Sequence, residues 1–310
     1  MKKLLLFLLM LFIIPIIITL LFFKINTLII KTGFNQNKRE KEINIRILKE
    51  DNTVESLNLE EYLIGVVSSE VPVNFEDEAL KAQAVASRTY ALKQMENNKN
   101  QEYDVTDNIL SQVYSSNDKL RERWGDNYEN NYNKIKNIVN KTRGEYISYN
   151  NEYIYAFFFS TSNGKTEDNK NVFGADLPYL KVVDSSFDEN ETASFNSTKS
   201  FNKEDFYSLL DINYSDSLTI NNIEKNESGR VSQICINDNC FKGRDFQKKL
   251  SLRSNDYEIE EKDNEIVITT KGFGHGVGMS QYGANALAKQ HKNYREILNY
   301  YYQGTEIKKL

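Results

Sequence analysis

Leu59-Glu-Glu-Tyr-Leu-Ile-Gly-Val-Val-Ser-Ser-Glu70-Val-Pro72, followed by Ala79-Leu-Lys81-Ala-Gln83-Ala-Val-Ala-Ser-Arg88-Thr-Tyr90, decides the reading of this chain. The first run is apolar and ends in one acid directly before Val71-Pro72. Proline disfavours helical backbone in the residue before it, so a helix is predicted to stop near Ser69 or Glu70. A carboxylate at that break, among Ile64, Val66, Val67 and Val71, is expected to be partly desolvated. Desolvation raises a carboxyl pKa, which is what a general acid working near neutrality needs. The second run predicts another helix, beginning near Asn74, with Lys81 and Arg88 nearly on one face. A perturbed acid facing a basic stripe is one reading. A solvated helix end beside a wet helix face fits the same letters.

Working outward towards the N-terminus, Ile43, Ile45 and Ile47 alternate with Asn44, Arg46 and Leu48, the period of a strand. Residues 4–23 carry no charge, a length of helix sufficient to cross a bilayer. Lys2 and Lys3 precede them and no small-residue cleavage pattern follows, so residues 1–23 read as a short tail with an uncleaved signal anchor. Residues 24–42 read as a polar tether. Positive charge alone (Lys24, Lys31, Lys38, Arg39, Lys41) would place the C-terminal part in the cytoplasm.

Towards the C-terminus, residues 97–130 are polar and expected to be loop-rich, with Val113-Tyr114 as a short strand. A helix over 132–141 is ended by Arg143-Gly144, and strands 145–148 and 153–159 pair around the turn Asn150-Asn151. Residues 186–265 are acidic and rich in Asn and Ser. They predict a smaller inserted subdomain with helices near 203–210 and 244–250 and a hairpin around Asn237-Asp-Asn239. Cys235 and Cys240 flank that hairpin turn, either as a disulfide in an oxidising compartment or as free strand residues. The mixture is that of an α+β protein, and 310 residues are ample for one large core or two smaller ones. Lysines and arginines number 39 against 44 aspartates and glutamates. That balance, without a basic cluster interleaved with aromatics, argues against a nucleic-acid partner.

Gly272-Phe-Gly274-His275-Gly276-Val-Gly278-Met-Ser280-Gln281-Tyr-Gly283 is the second informative stretch. Alternating glycines imply close backbone approach. The apolar strand 266–270 leads in, and Ser280 or Gln281 opens a helix to about residue 288. This element, with the two runs quoted first, Ser160-Thr-Ser-Asn-Gly-Lys-Thr166 and Pro178-Tyr179-Leu180-Lys181-Val182-Val183, resembles the stage II sporulation protein D family. The resemblance runs from about residue 43 to residue 310.

That resemblance implies an α+β extracytoplasmic domain, 43–310, behind the membrane anchor, with a glycan-binding cleft. It implies similarity to lytic transglycosylases, which cleave the β-1,4 bond between N-acetylmuramic acid and N-acetylglucosamine in peptidoglycan and leave a 1,6-anhydro ring. The sugar's own C6 hydroxyl attacks, so one acid suffices where ordinary glycosidases need a carboxylate pair. Glu70 would be the catalytic residue. Lys81, Gln83, Arg88, Tyr179 and Lys181 would hold the glycan, although Gln83 does not share the face of Lys81 and Arg88 on an ideal helix. Ser160, Ser162, His275 and Gln281 are read as groove-lining residues, with catalysis by His275 a lesser option and His291 a solvated helix residue. Glu60, Glu61, Asp104, Asp107 and Glu167 are expected at the surface.

Two mimics fail. Ser162-Asn-Gly164-Lys165-Thr166 resembles the end of a phosphate-binding loop, but Phe159 stands where its first glycine is required. No nucleophile elbow accompanies Ser160 or Ser162. Some relatives carry a cluster of Cys, His and Cys where this chain has Thr106, Leu110 and Ser111, so no zinc is expected there, and no cofactor elsewhere. The implied partners are peptidoglycan strands, a cell-wall amidase, a membrane scaffold protein and the membrane itself. The rival implication is a non-catalytic enhancer of a wall amidase.

Overall fold

A computed structural model describes Thr19, Lys24, residues 42–107 and residues 111–310. Helix α1 (Leu59–Glu70) begins at Asn58, whose side chain accepts the Glu60 N–H at 3.0 Å. It stops at Val71, which Pro72 holds extended (φ −132°, ψ 150°). Tyr62, Leu63, Val66 and Val67 are wholly buried, each aliphatic side chain contributing roughly 1.5–3 kcal/mol. Helix α2 (Asp77–Asn97) starts later than expected and is the centre of the fold. It packs on α1, on helices Tyr128–Lys141, Gln281–Lys289 and Tyr294–Tyr301, and on strand Glu145–Tyr149. Its buried alanines (79, 82, 84, 86, 91) let so many neighbours come close.

Small sheets surround these helices. Asn44–Leu48 pairs antiparallel with Val54–Asn58 and parallel with Val105–Thr106, turning Ile45 and Ile47 inward. Glu145–Tyr149 and Glu152–Tyr153 form the expected hairpin, with Asn150 and Asn151 both at positive φ. The expected strand over 153–159 breaks after Tyr153; only Phe158–Phe159 continues, parallel to Met279–Ser280. Val113-Tyr114 is not a strand, since Val105–Thr106 takes the sheet position beside Asn44–Leu48. The polar stretch 97–130 holds a helix, Asn117–Trp124, capped by the Ser116 side chain.

Strands Asn196–Asn202, Tyr257–Lys262 and Glu265–Lys271 form one sheet, and Ile220–Lys225, Val231–Ile236 and Asn239–Lys242 another. With helices Lys203–Leu210 and Gly243–Lys249 they enclose an apolar cluster around Phe201, Phe206, Ile234, Phe246, Ile266 and Ile268. Cys235 and Cys240 face each other across the hairpin and are joined in a disulfide. His291 lies in the turn after Gln281–Lys289 at φ +65°, not on a helix. Among the described residues no helix is long and apolar enough to cross a membrane. The expected span 4–23 lies, but for Thr19, outside them.

Candidate active site

Glu70 closes α1 and is only partly exposed. Its Oε1 accepts the Val113 N–H at 2.8 Å and its Oε2 faces the Gln281 amide nitrogen at 3.3 Å. Burial pushes the carboxyl above its ordinary range, and the two hydrogen bonds only partly offset this. Neither partner is charged, so the proton is held by desolvation and not by a neighbouring anion.

Each partner is positioned by a local device. Gln112-Val113-Tyr114 is strapped across α1. Tyr114 stacks on Tyr62 with centroids 5.4 Å apart, over Gly65, where a side-chain carbon would lie 2.5 Å from the Tyr114 ring. The Tyr62 hydroxyl meets Gln112 Oε1 at 3.4 Å, and Gln112 Nε2 donates to the Ser87 carbonyl. Burial pushes the Tyr114 phenol up to about 12. Gln281 is the first residue of its helix, capped by Ser280, whose hydroxyl accepts the Gly283 N–H. The buried carboxylate of Asp188 ties this corner together. It accepts from the Ser162 N–H at 2.7 Å, from the Ser185 hydroxyl and from the Ser280 hydroxyl.

The glycine run explains itself in the same terms. At Gly278 (φ +81°) a side-chain carbon would stand 2.0 Å from the Phe157 carbonyl oxygen. At Gly276 (φ +84°) it would strike the buried guanidinium of Arg230. His275 Nδ1 accepts the Val277 N–H at 3.0 Å, and the ring lies among Phe157, Phe159 and Phe173. Burial and the charges of Arg244 and Arg230 lower its pKa to about 4, so the imidazole is neutral at neutral pH. With Nδ1 accepting that N–H and the Phe158 backbone beside the ring, it braces the loop.

Most of the remaining residues expected at the site are engaged in the frame around it. Arg88 is completely buried and grips Glu60 through two hydrogen bonds, at 2.9 and 2.6 Å, while also donating to the Glu145 and Val139 carbonyls. Its guanidinium offers no surface to a ligand. Lys81 pairs with Glu78 and lies over the Tyr294 ring, away from Arg88. Gln83 is buried and donates to Ser87. Ser162 is buried, its hydroxyl donating to the Ser185 carbonyl, whereas Ser160 accepts the Tyr282 N–H beside Gln281. Tyr179 packs on Tyr149 and its hydroxyl accepts the Tyr155 N–H. Lys181 bridges Asp168 and Asp176.

Three acids expected at the surface are buried: Glu60 with Arg88, Asp104 with Arg46, and Glu167 among Asn171, Asn226 and Ser228. Of the three positions weighed above as a zinc site, Thr106 and Ser111 join through their hydroxyls at 3.1 Å, and Leu110 lies outside the described residues.

Two cavities adjoin one another at Phe173 and Arg244. One, of about 250 Å³, is lined by Tyr90, Ser111, Gln112, Phe157, Phe158, Phe173, Arg244 and His275. Tyr90, at its Glu70 end, is half-buried and hydrogen-bonds Ser111. The other, of about 440 Å³, shares Phe173 and Arg244 and continues over Glu167, Asn226, Lys242 and Lys248. Tyr90 stands inside the opening motif, so the sequence held a signal for it. Phe173 and Arg244 carry no motif that marks them.

One acid stands where α1, a strap and the helix after the glycine run meet, and the comparisons give the family. The family model for the stage II sporulation protein matches residues 49–149. Stage II sporulation protein D of Bacillus subtilis (strain 168) is 44% identical over 260 residues, covering 82% of this chain and 76% of that protein. The protein of the same name from Bacillus amyloliquefaciens is 41% identical over 281 residues, covering 89% and 81%. The amidase enhancer of Bacillus subtilis is 27% identical over 299 residues, 79% of this chain but 40% of that longer protein. The chain belongs to the stage II sporulation protein D family, and its setting is sporulation.

Proposed function

We propose that this chain is a peptidoglycan lytic transglycosylase that cleaves the bond between N-acetylmuramic acid and N-acetylglucosamine, with Glu70 as its only catalytic carboxyl. Protonated Glu70 gives its proton to the glycosidic oxygen as the bond from C1 breaks. The resulting carboxylate then takes the proton of the muramic acid C6 hydroxyl as that oxygen closes on C1, which returns the acid to its starting state. The observation that carries the reading is Glu70 itself: a desolvated carboxyl with two neutral hydrogen-bond donors, close to Tyr90, which lines an aromatic-walled cavity. Glu60, Asp104 and Glu167 are each engaged inside the fold and supply no second carboxylate. Lys81, Gln83, Arg88, Tyr179 and Lys181 then act mainly by building the frame. In this role the protein remodels the septal wall during engulfment, held by residues 4–23 in the membrane with 43–310 outside, beside a wall amidase and a membrane scaffold.

A second reading, a non-catalytic enhancer of a wall amidase, is favoured by the likeness to the amidase enhancer. Incubation of the purified protein with glycan strands, followed by mass spectrometry, separates them. Anhydro-ended fragments that vanish with Glu70→Gln support the enzyme. Water-added fragments indicate a hydrolase. Intact strands that still bind the protein support the enhancer.

A further inference from the structure

Where the two cavities meet, Phe173 and Arg244 stand together without a partner that accounts for them. Phe173 ends the helix Asn169–Phe173 and remains 48% exposed although it lines both cavities. Its back face stacks on Phe157 with centroids 4.6 Å apart, and the Arg244 guanidinium carbon lies 5.7 Å from its ring centre. Arg244 comes from the helix Gly243–Lys249, packed on strand Val231–Ile236 of the other flank of the cleft. Its Nη1 is buried and has no hydrogen-bond partner among the described residues. The acids of that wall do not take the role. Glu167 already accepts from Asp168, Asn171, Asn226 and Ser228. Glu167 and Asp245 both attract the Arg244 guanidinium electrostatically, but neither reaches its buried Nη1 with a hydrogen bond. Lys242 and Lys248 line the same cavity, so with Arg244 its cations outnumber its acids, Glu167 and Asp245.

A buried guanidinium N–H without an acceptor, here Nη1 of the half-buried Arg244, is costly unless a ligand supplies one. The forked donor suits a carboxylate, and an exposed ring beside it suits the apolar face of a pyranose. We infer that Phe173 and Arg244 form a subsite for a carboxylate-bearing sugar of the glycan strand, with Phe173 under the ring and Arg244 on the carboxylate. The larger cavity, about 440 Å³, falls in the usual range for small-ligand sites, about 300–1,000 Å³. This rests on the glycan-strand reading of the cleft. In such a strand only the muramic acid residue carries an acid, either as a free lactyl carboxylate or through the carboxylates of an attached stem peptide.

The test is calorimetric binding by the full chain to three probes: neutral chitooligosaccharides, peptide-free glycan strands and peptide-bearing strands. Wild type, Arg244→Gln, Arg244→Lys and Phe173→Ala are compared. Arg244→Gln is expected to weaken binding of acidic strands by about tenfold, as loss of a charge-assisted hydrogen bond does. Chitooligosaccharide affinity should be unchanged, which also shows that the variant is folded. Arg244→Lys should fall between the two, and Phe173→Ala should weaken all three probes. A loss confined to peptide-free strands assigns the lactyl carboxylate, and one confined to peptide-bearing strands assigns the stem peptide. An equal loss on neutral and acidic probes, no loss on either, or no wild-type preference for acidic strands overturns the inference. Product analysis of the same strands is read separately. Lack of cleavage there rejects the transglycosylase without touching the binding comparison.

Discussion

The Glu70 carboxylate and the Gln281 side-chain amide meet at 3.3 Å although 211 positions separate them in the chain. This contact joins the first motif to the last one, and its two anchors are independent. Pro72 ends α1 at Glu70, and Ser280 caps the helix that Gln281 opens. The site is therefore built by where two helices stop and start, with Asp188 fixing the second of them from inside.

Glu70→Gln is expected to abolish anhydro-product formation and to stabilise the fold at neutral pH. The folded carboxyl titrates above its ordinary value of 4.5 because burial disfavours the anion. The stability associated with the raised pKa is present below 4.5 and is lost as pH rises through the folded value, leaving a buried charge above it. Glutamine carries no such charge. Thermal melts should show a Tm higher than wild type by a few degrees at pH 7–8, on the order expected for about 1 kcal/mol. The gap should close as pH falls towards 4. Equal melting temperatures across the range would mean that the carboxyl is not desolvated.

Gln281→Met should move the alkaline limb of the pH–rate profile to higher pH. The amide donates to the Glu70 carboxylate and so lowers its pKa against the effect of burial. Without it the acid stays protonated further into the alkaline range. Were Gln281 to act only on substrate, KM would rise and the limb would stay where it is. The pH dependence of kcat/KM distinguishes the two.

The first motif was legible because proline, burial and helix period all act locally, and α1, the hairpin at Asn150-Asn151 and the capped helix after Ser280 follow from them. The roles of charged residues were not. Arg88 and Lys81 share a spacing that suggests one basic face, yet one is sealed onto Glu60 and the other is half-buried between Glu78 and the Tyr294 ring. Helical period gives the direction of a side chain but not which neighbour covers it, and α2 is covered on almost every side. Val113-Tyr114 has the composition of a strand without being one, for a related reason. Its β-forming residues serve a strap, with Tyr114 packed on Gly65 and the freed Val113 N–H bound to Glu70. Arg244 and Phe173 belong to separate elements with no shared motif, so only their proximity marks them.

His275 should contribute no limb near its ordinary value of 6.5 to any pH–rate profile, because its folded pKa is lowered to about 4. A depressed base holds its stabilising effect above 6.5 and loses it as pH falls towards 4, since the buried site must then accept a charge. NMR titration of the imidazole is expected to show no protonation between pH 5 and 8. His275→Ala should destabilise the fold by removing the acceptor of the Val277 N–H, at a cost of about 1–3 kcal/mol for the unpaired donor.

Arg88→Ala should be lost chiefly as a fold and not as a binder. The guanidinium is completely buried, and its removal strands the Glu60 carboxylate together with the Val139 and Glu145 carbonyls. Breaking a buried pair from one side costs about 3–5 kcal/mol, whereas a partly exposed pair such as Lys81–Glu78 contributes about 0–1 kcal/mol. Urea unfolding should therefore separate Arg88→Ala from Lys81→Ala by several kcal/mol. Replacing both partners, Glu60→Leu with Arg88→Met, should recover much of the loss because no charge remains unpaired. A stable Arg88→Ala protein with weakened glycan affinity would return Arg88 to the binding surface.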